Sequence, residues 1–288
     1  MDEKNISPNT FVVGAPKCGT TSLYMFFKEH SDVFVPKEKE LHFFSFPEVA
    51  DTYYKVPFVT TLEEYFSYYY GAEGFKVTAD VSPSYLFNEN SAKRIYDFNP
   101  EARIIVLLRN PVERAISHYL MDCQIGYQTA PLKNFLTRTD ENRRYFKEYI
   151  EMGFFSGQLR RYFDIFPRNQ ILVILSDEMQ IDEGAVIEKL CRFLGIRRLG
   201  LSMRKQNVFV GLPRNEWVFR IRNNDFLMRI ASVFPSALKS LFKGVLLERN
   251  GKKPSFVAER TALAEIYGND IEDLSGLLHL NLKKMWLM

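Results

Sequence analysis

The chain has 288 residues, 46% of them hydrophobic and 25% charged, with a formal net charge of +3. This composition excludes a disordered chain and, by bulk charge, a nucleic-acid binder, while leaving room for a local basic pocket. Three scattered cysteines (Cys18, Cys123, Cys191) exclude a disulfide framework, and neither they nor the four histidines have metal-site spacing, so a reduced cytoplasmic setting without a metal is expected.

In chain order, the first residues are polar and carry no signal-peptide pattern, and no stretch reaches 18 apolar residues, so no membrane span is expected. Phe11-Val12-Val13 reads as a short buried strand, Gly14 to Gly19 as a turn, and Thr20 to His30 as a helix with Leu23, Phe26 and Phe27 on one side. Phe34 to Phe46 is mixed, a loop around Pro36 followed by Leu41-His42-Phe43-Phe44. The aromatic-rich stretch Thr61 to Tyr70 reads as helical. Residues 53 to 70 suit core packing, with stacking on sugar rings as the sharper alternative. Phe75 to Ala79 reads as a strand ended by the Ser82-Pro83-Ser84 turn, and Ser91 to Phe98 as a helix.

Arg103 to Leu108 is the clearest strand, continuously apolar from Ile104 as a central parallel strand is. Val112 to Met121 follows as a helix with Pro111 near its first turn. A helical pattern covers Tyr145 to Phe163, Ile171 to Leu175 is another buried strand, and Ala185 to Leu194 a helix stopped by Gly195. From Trp217 the pattern is mainly helical, interrupted by the loop Asn250-Gly251-Lys252-Lys253-Pro254. Phe226 to Leu247, with Arg229, Lys239 and Lys243, suits core packing, with a membrane contact or an active-site cover as alternatives. Strands alternating with helices predict one α/β domain over 1–288. Its core, 10–195, is a central parallel sheet flanked by helices, and 215–288 form a mainly helical C-terminal portion.

Gly14-Ala15-Pro16-Lys17-Cys18-Gly19-Thr20-Thr21 has G-x-x-x-x-G spacing between a strand and a helix. Backbone amides there, aided by the positive helix end, make an anion site, so the fold is P-loop-like. A nucleotide triphosphatase has lysine directly after the second glycine; here that place is Thr20 and the lysine is Lys17, inside the loop. A nucleotide kinase is disfavoured by the same substitution. A cysteine phosphatase needs an arginine six residues after Cys18, where Tyr24 stands. The plain alternative is a glycine turn with a solvated lysine.

The strand ending at Leu108 leads into Arg109-Asn110-Pro111, with Ser117 eight residues after Arg109. Ligands of open α/β sheets bind beyond the carboxyl ends of strands, and arginine suits bidentate phosphate recognition. Two anion signals at strand ends strengthen each other against the reading that Arg109 and Ser117 only face solvent.

These residues resemble the sulfotransferases that use 3′-phosphoadenosine 5′-phosphosulfate (PAPS). Pro16 to Leu23 resembles their 5′-phosphosulfate loop, and Leu107 to Tyr119 their 3′-phosphate element. Glu40-Leu41-His42-Phe43-Phe44 resembles the Glu-x-His-Phe-Phe segment that carries the base in the branch of heparan sulfate and bacterial sulfotransferases. The resemblance covers about residues 10 to 195 and returns at Lys253-Pro254 and Trp286.

It implies that Lys17 contacts the phosphosulfate and stabilises the leaving oxygen. Lys17, Cys18, Gly19, Thr20, Thr21 and Ser22 would hold the 5′-phosphate, and Arg109 and Ser117 the 3′-phosphate. Glu40 would be the general base, with His42 orienting the acceptor or serving as the base. Lys252 and Lys253 would stand for the family's C-terminal cofactor loop. PAPS would be the donor, PAP the product, and no metal is implied.

The 3-O branch has an acidic residue after the Phe-Phe pair, here Ser45, and a lysine before the Ser/Thr-Pro turn, here Val81. Both differences weigh against a heavily sulfated glycosaminoglycan as acceptor. A carbohydrate hydroxyl is the first expectation, and a lipid or small natural product the second. A non-catalytic PAPS- or glycan-binding protein is the reading from another class, which the presence of Lys17 and Glu40 argues against.

Overall fold

The computed structural model describes residues 7–54, 57–203 and 254–287. Lys252, Lys253 and the stretch Phe226 to Leu247 lie outside the described residues. The described chain divides into two compact units. The first takes residues 7–110, 154–203 and 268–287, and the second 111–153 and 254–267.

The first unit is built on a five-stranded parallel sheet of order β2-β3-β1-β4-β5: β1 (Thr10–Gly14), β2 (Val33–Phe34), β3 (Val77–Val81), β4 (Arg103–Leu108) and β5 (Ile171–Leu175). Every residue of β1 and β3 is buried, and β4 is buried from Ile104 onward. A parallel sheet is covered on both faces, which buries the apolar run of β4 and, in β1 and β3, Thr10, Thr78 and Asp80 as well. Each fully buried Val, Ile, Leu or Phe stabilises the fold by about 1.5–3 kcal/mol.

The strand read at 75–79 lies two residues later. Pairing with β1 sets Thr10 opposite Ala79 and Phe11 opposite Asp80, and Asn9 Oδ1 accepts from the Thr78 amide at 3.1 Å. Phe75 is left outside the strand, 38% exposed. The two-residue strand β2 meets the mixed stretch from Phe34 only at its last residue and is too short to show a period of its own.

Helices of this unit are α1 (Thr20–Glu29), α2 (Leu62–Ser67), α3 (Ser84–Phe87) and α4 (Ser91–Phe98). The helix expected over 145–163 is interrupted. Its first part, α6 (Arg143–Tyr149), belongs with α5 (Pro111–Ile125) to the second unit. After a 3-10 turn at Glu151–Gly153, α7 (Phe155–Ile165) begins anew in the first unit. Asp270 supplies the reason: its carboxylate accepts from the amides of Phe155 (2.7 Å) and Ser156 (3.1 Å), satisfying first-turn donors that have no intrahelical partner. The first unit continues with α8 (Ser176–Ile181) and α9 (Glu183–Leu194), the latter ended by Gly195 at φ 67°. The long helix α10 (Val257–Leu278) contributes its start to the second unit and its end, followed by α11 (Leu282–Trp286), to the first.

The second unit is organised around the fully buried Arg114 of α5. Its guanidinium donates to the carbonyls of Glu148 (3.0 Å) and Tyr149 and lies 3.2 Å from His118 Nδ1. Tyr149 donates to Asp122 Oδ2 at 2.6 Å, and Tyr267 to the Ile150 carbonyl at 2.9 Å. A buried cation without hydrogen-bonding partners is costly, so the carbonyl acceptors at the end of α6 hold Arg114 and α5 against that helix. No helix among the described residues is long and apolar enough to cross a membrane.

Candidate active site

The three central strands β3, β1 and β4 run parallel, so their carboxyl ends share one edge of the sheet. Each end delivers one of the sequence signals. From β1 comes the loop Gly14 to Gly19. Its Ala15 amide donates to the Leu107 carbonyl at 2.7 Å, which ties the loop to β4 two residues before Arg109. From β4 comes Arg109, half-buried immediately after Leu108. At the end of β3, the Glu40 amide donates to the Val81 carbonyl at 3.2 Å, which brings the Glu40–Ser45 segment to the same edge.

The loop is shaped by two left-handed residues, Lys17 at φ 69° and Gly19 at φ 103°. Gly19 is the N-cap of α1 and, lacking a side chain, leaves the helix's first amides to a ligand. Gly14 answers a different demand: a Cβ there would fall on the Leu86 side chain of α3. Thr20 and Ser22 are buried, while Thr21 is half-buried. Cys18 turns inward: it is 1% exposed, its amide donates to the Ala15 carbonyl at 3.2 Å, and its Sγ lies 3.7 Å from the Pro16 carbonyl. Pro16, Lys17, Gly19 and Thr21 keep part of their surface in the open.

An extended stretch would set Glu40 and His42 on one side of the chain, but they do not lie in one. Both have left-handed backbones, φ 68° and 60°, and His42 is the N-cap of a 3-10 turn at Phe43–Ser45. The turn still brings the side chains together, with His42 Nε2 at 3.9 Å from Glu40 Oε2, while Lys39 Nζ pairs with Glu40 Oε1. His42 is buried; its Nδ1 lies 2.8 Å from Ser84 Oγ and its amide 3.4 Å from Ser82 Oγ. Burial lowers its pKa, Glu40 opposes that shift, and Lys39 adds to it.

Behind this segment is a group that the sequence reading missed. Asp80 of β3 is fully buried and accepts from Ser82 Oγ (2.6 Å), Tyr65 OH (2.7 Å) and Tyr85 OH (2.8 Å). The aromatic stretch from Tyr53 therefore splits. Tyr65 and Tyr69 are core, with Phe43 stacked on Tyr65 at 4.5 Å, and only Tyr70 is largely exposed. A lone Asp inside an apolar strand is the signal that marks Asp80 in the sequence. Ser84 has none beyond its place in a turn.

Ser117 lies half-buried on α5 in the second unit, and Lys252 and Lys253 fall outside the described residues.

A family model described as the sulfotransferase domain matches residues 7–207. Among solved structures, a sulfotransferase from Alicyclobacillus acidocaldarius is similar with a TM-score of 0.71 at 26% identity, covering 98% of this chain and 100% of that one. Human heparan sulfate glucosamine 3-O-sulfotransferase 6 is 26% identical over 198 residues, 67% of this chain and 53% of that protein. Membrane-associated sulfotransferase kil1 of Dictyostelium discoideum is 32% identical over 117 residues, 41% of this chain and 23% of that protein. The chain thus matches between about a quarter and about half of the length of these curated relatives.

Proposed function

The chain belongs to the sulfotransferase family, and from that premise we propose that it transfers a sulfuryl group from PAPS to a hydroxyl or amine of a carbohydrate, with residues 1–288 working as one catalytic domain. The observation that carries this reading is the shared carboxyl edge of β3, β1 and β4, which gathers a base, an anion loop and an arginine. The donor has two anionic groups, and the edge has two places that suit them. The loop with Lys17, Gly19, Thr20, Thr21 and the α1 amides fits a 5′-phosphosulfate, and Arg109 fits a 3′-phosphate.

PAPS supplies the sulfuryl group and leaves as PAP. Lys17 neutralises the charge that develops on the bridging oxygen as its bond to sulfur breaks. Glu40 takes the proton of the acceptor hydroxyl as the new sulfur–oxygen bond forms. Catalysis of this kind rests on in-line positioning and on charge stabilisation in a site that excludes water. The carbohydrate acceptor is supported by the heparan sulfate relatives. The presence of both Lys17 and Glu40 favours an enzyme over a binding protein.

Calorimetric titration with PAP, without added metal, tests the donor site. Wild-type protein is expected to bind, and Arg109→Ala to bind about 10- to 100-fold more weakly, the worth of a charge-assisted hydrogen bond. Absence of binding by the wild type overturns the proposal.

A further inference from the structure

Three hydrogen bonds close a ring on His42. Its Nδ1 is 2.8 Å from Ser84 Oγ, Ser84 Oγ is 2.8 Å from Ser45 Oγ, and Ser45 Oγ is 3.1 Å from the His42 main-chain carbonyl oxygen. Ser45 is fully buried, His42 is 7% exposed, and Ser84 is half-buried. We propose that Ser84 and Ser45 are positioning residues that lock His42 in the tautomer with the proton on Nδ1, leaving Nε2 as a basic nitrogen facing Glu40.

The direction of the ring follows from counting protons. A carbonyl oxygen only accepts, so the Ser45 hydroxyl spends its one proton on the His42 carbonyl. Ser45 then accepts from Ser84. Ser84, its own proton spent, accepts from Nδ1–H. A neutral imidazole carries one ring proton, so Nε2 has none. That nitrogen lies 3.9 Å from Glu40 Oε2, and Lys39 occupies the other carboxylate oxygen.

Burial and Lys39 disfavour the imidazolium and outweigh Glu40, which favours it. Glu40 and Lys39 are its charged neighbours on its own segment. From the elements packed against it come the hydroxyls of Ser82 and Ser84 and the ring of Phe58, 5.9 Å away, with buried Asp80 one bond behind Ser82.

Two acceptors 3.9 Å apart have no proton to share between themselves. Nε2 and Oε2 therefore form a two-point receptor for a single O–H or N–H donor. The inference rests on the sulfotransferase reading to this extent: the donor that fits is the acceptor's reacting hydroxyl or amine, held by His42 while Glu40 removes its proton. Ser45 stands where the heparan sulfate 3-O branch has an acidic residue, and here it supplies the ring's last donor.

The test is long-range proton–nitrogen correlation spectroscopy on protein labelled with ¹⁵N-histidine, the His42 signals being assigned with His42→Gln. The wild type is expected to show a protonated Nδ1 and a bare Nε2. Ser84→Ala is expected to shift His42 towards Nε2–H, Ser45→Ala to loosen the preference, and Ser84→Thr, which keeps the hydroxyl, to retain the wild-type signature. A wild type protonated at Nε2, or a spectrum unmoved by Ser84→Ala, overturns the inference. In turnover of PAPS with a desulfated heparan oligosaccharide, Ser84→Ala lowers kcat and leaves the KM for PAPS in place. The PAP titration is read separately: failure to bind PAP refutes the sulfotransferase reading whatever the tautomer, and PAP binding with the wrong tautomer refutes only the role of the serines.

Discussion

Asn110 donates from Nδ2 to the main-chain carbonyl of Trp286 at 2.6 Å, so the residue beside Arg109 is tied to the last helix of the chain. Trp286 donates in turn from Nε1 to Asp177 Oδ2 at 3.2 Å, just beyond β5. One buried residue thus bridges the carboxyl ends of β4 and β5. Trp286→Phe keeps most of the apolar surface and loses the donor, and is expected to cost about 1 kcal/mol in urea unfolding. Trp286→Ala also leaves a cavity and is expected to cost about 3–5 kcal/mol. Weaker PAP binding is expected for the alanine variant, because Asn110 and with it Arg109 lose their support. Equal stability losses for the two variants would refute the packing part of this account.

Gly14 lets α3 pack directly on the end of β1. A Cβ there would occupy the place of the Leu86 side chain, which is itself fully buried. Gly14→Ala is therefore expected to destabilise by about 1–3 kcal/mol, the range for overpacking a dense core. Leu86→Ala vacates that space at its own cavity cost. The double variant should consequently be more stable than the two single losses added together. Strictly additive losses in chemical denaturation would show that the two positions do not compete for space.

Glu40→Gln keeps the size of the side chain and removes its basicity. With PAPS and a desulfated heparan oligosaccharide, kcat is expected to fall by about 10²–10⁴, the usual worth of a general base, while PAP affinity stays at the wild-type value. Lys17→Ala is expected to lower kcat by about 10²–10³ through lost charge stabilisation. PAP release from PAPS, followed by liquid chromatography, measures both. A Glu40→Gln enzyme with wild-type kcat would move the proton-accepting role to another group.

Much of this site was legible from residues close in sequence. Gly14 to Thr21 declared itself because strand, glycine loop and helix follow one another within a few residues, and Arg109 because it ends an unbroken apolar strand. That both lie at the carboxyl edge follows from the strands being parallel, which the alternation of strands and helices implies, whereas the pairing of β1 with β4 that makes them neighbours is known only from the structure. The local shape around His42 was not legible. An apolar-polar alternation suggests an extended chain, whereas the left-handed backbones of Glu40 and His42 depend on contacts from distant elements: the Glu40 amide on Val81, and the His42 ring on Ser84. Asp80 was hidden for a similar reason. Of its partners, Tyr65 lies in the aromatic stretch that reads as ordinary packing, and Tyr85 follows a turn with no signal of its own.

Asp80 also sets a pH dependence whose sign is fixed by two opposed effects. Burial raises its pKa, the hydrogen bonds from Ser82, Tyr65 and Tyr85 lower it, and burial prevails, so the net shift is upward. In the unfolded chain an aspartate titrates near about 3.9. Between that value and the higher folded one, the folded protein holds a proton that the unfolded chain has lost. Stability contributed by this group is then fully present below about pH 4 and is lost as pH rises through the folded pKa, by at most about 1.4 kcal/mol per pH unit. Asp80→Asn has no proton to lose. The stability of the wild type minus that of Asp80→Asn, from urea unfolding at a series of pH values starting at 4, is therefore expected to decrease as pH increases. Tyr85→Phe removes one of the donors that favour the carboxylate, so in that background the decrease should continue to higher pH. A difference that instead grows with pH would mean that the three hydroxyls outweigh burial and that Asp80 is stabilised as the anion.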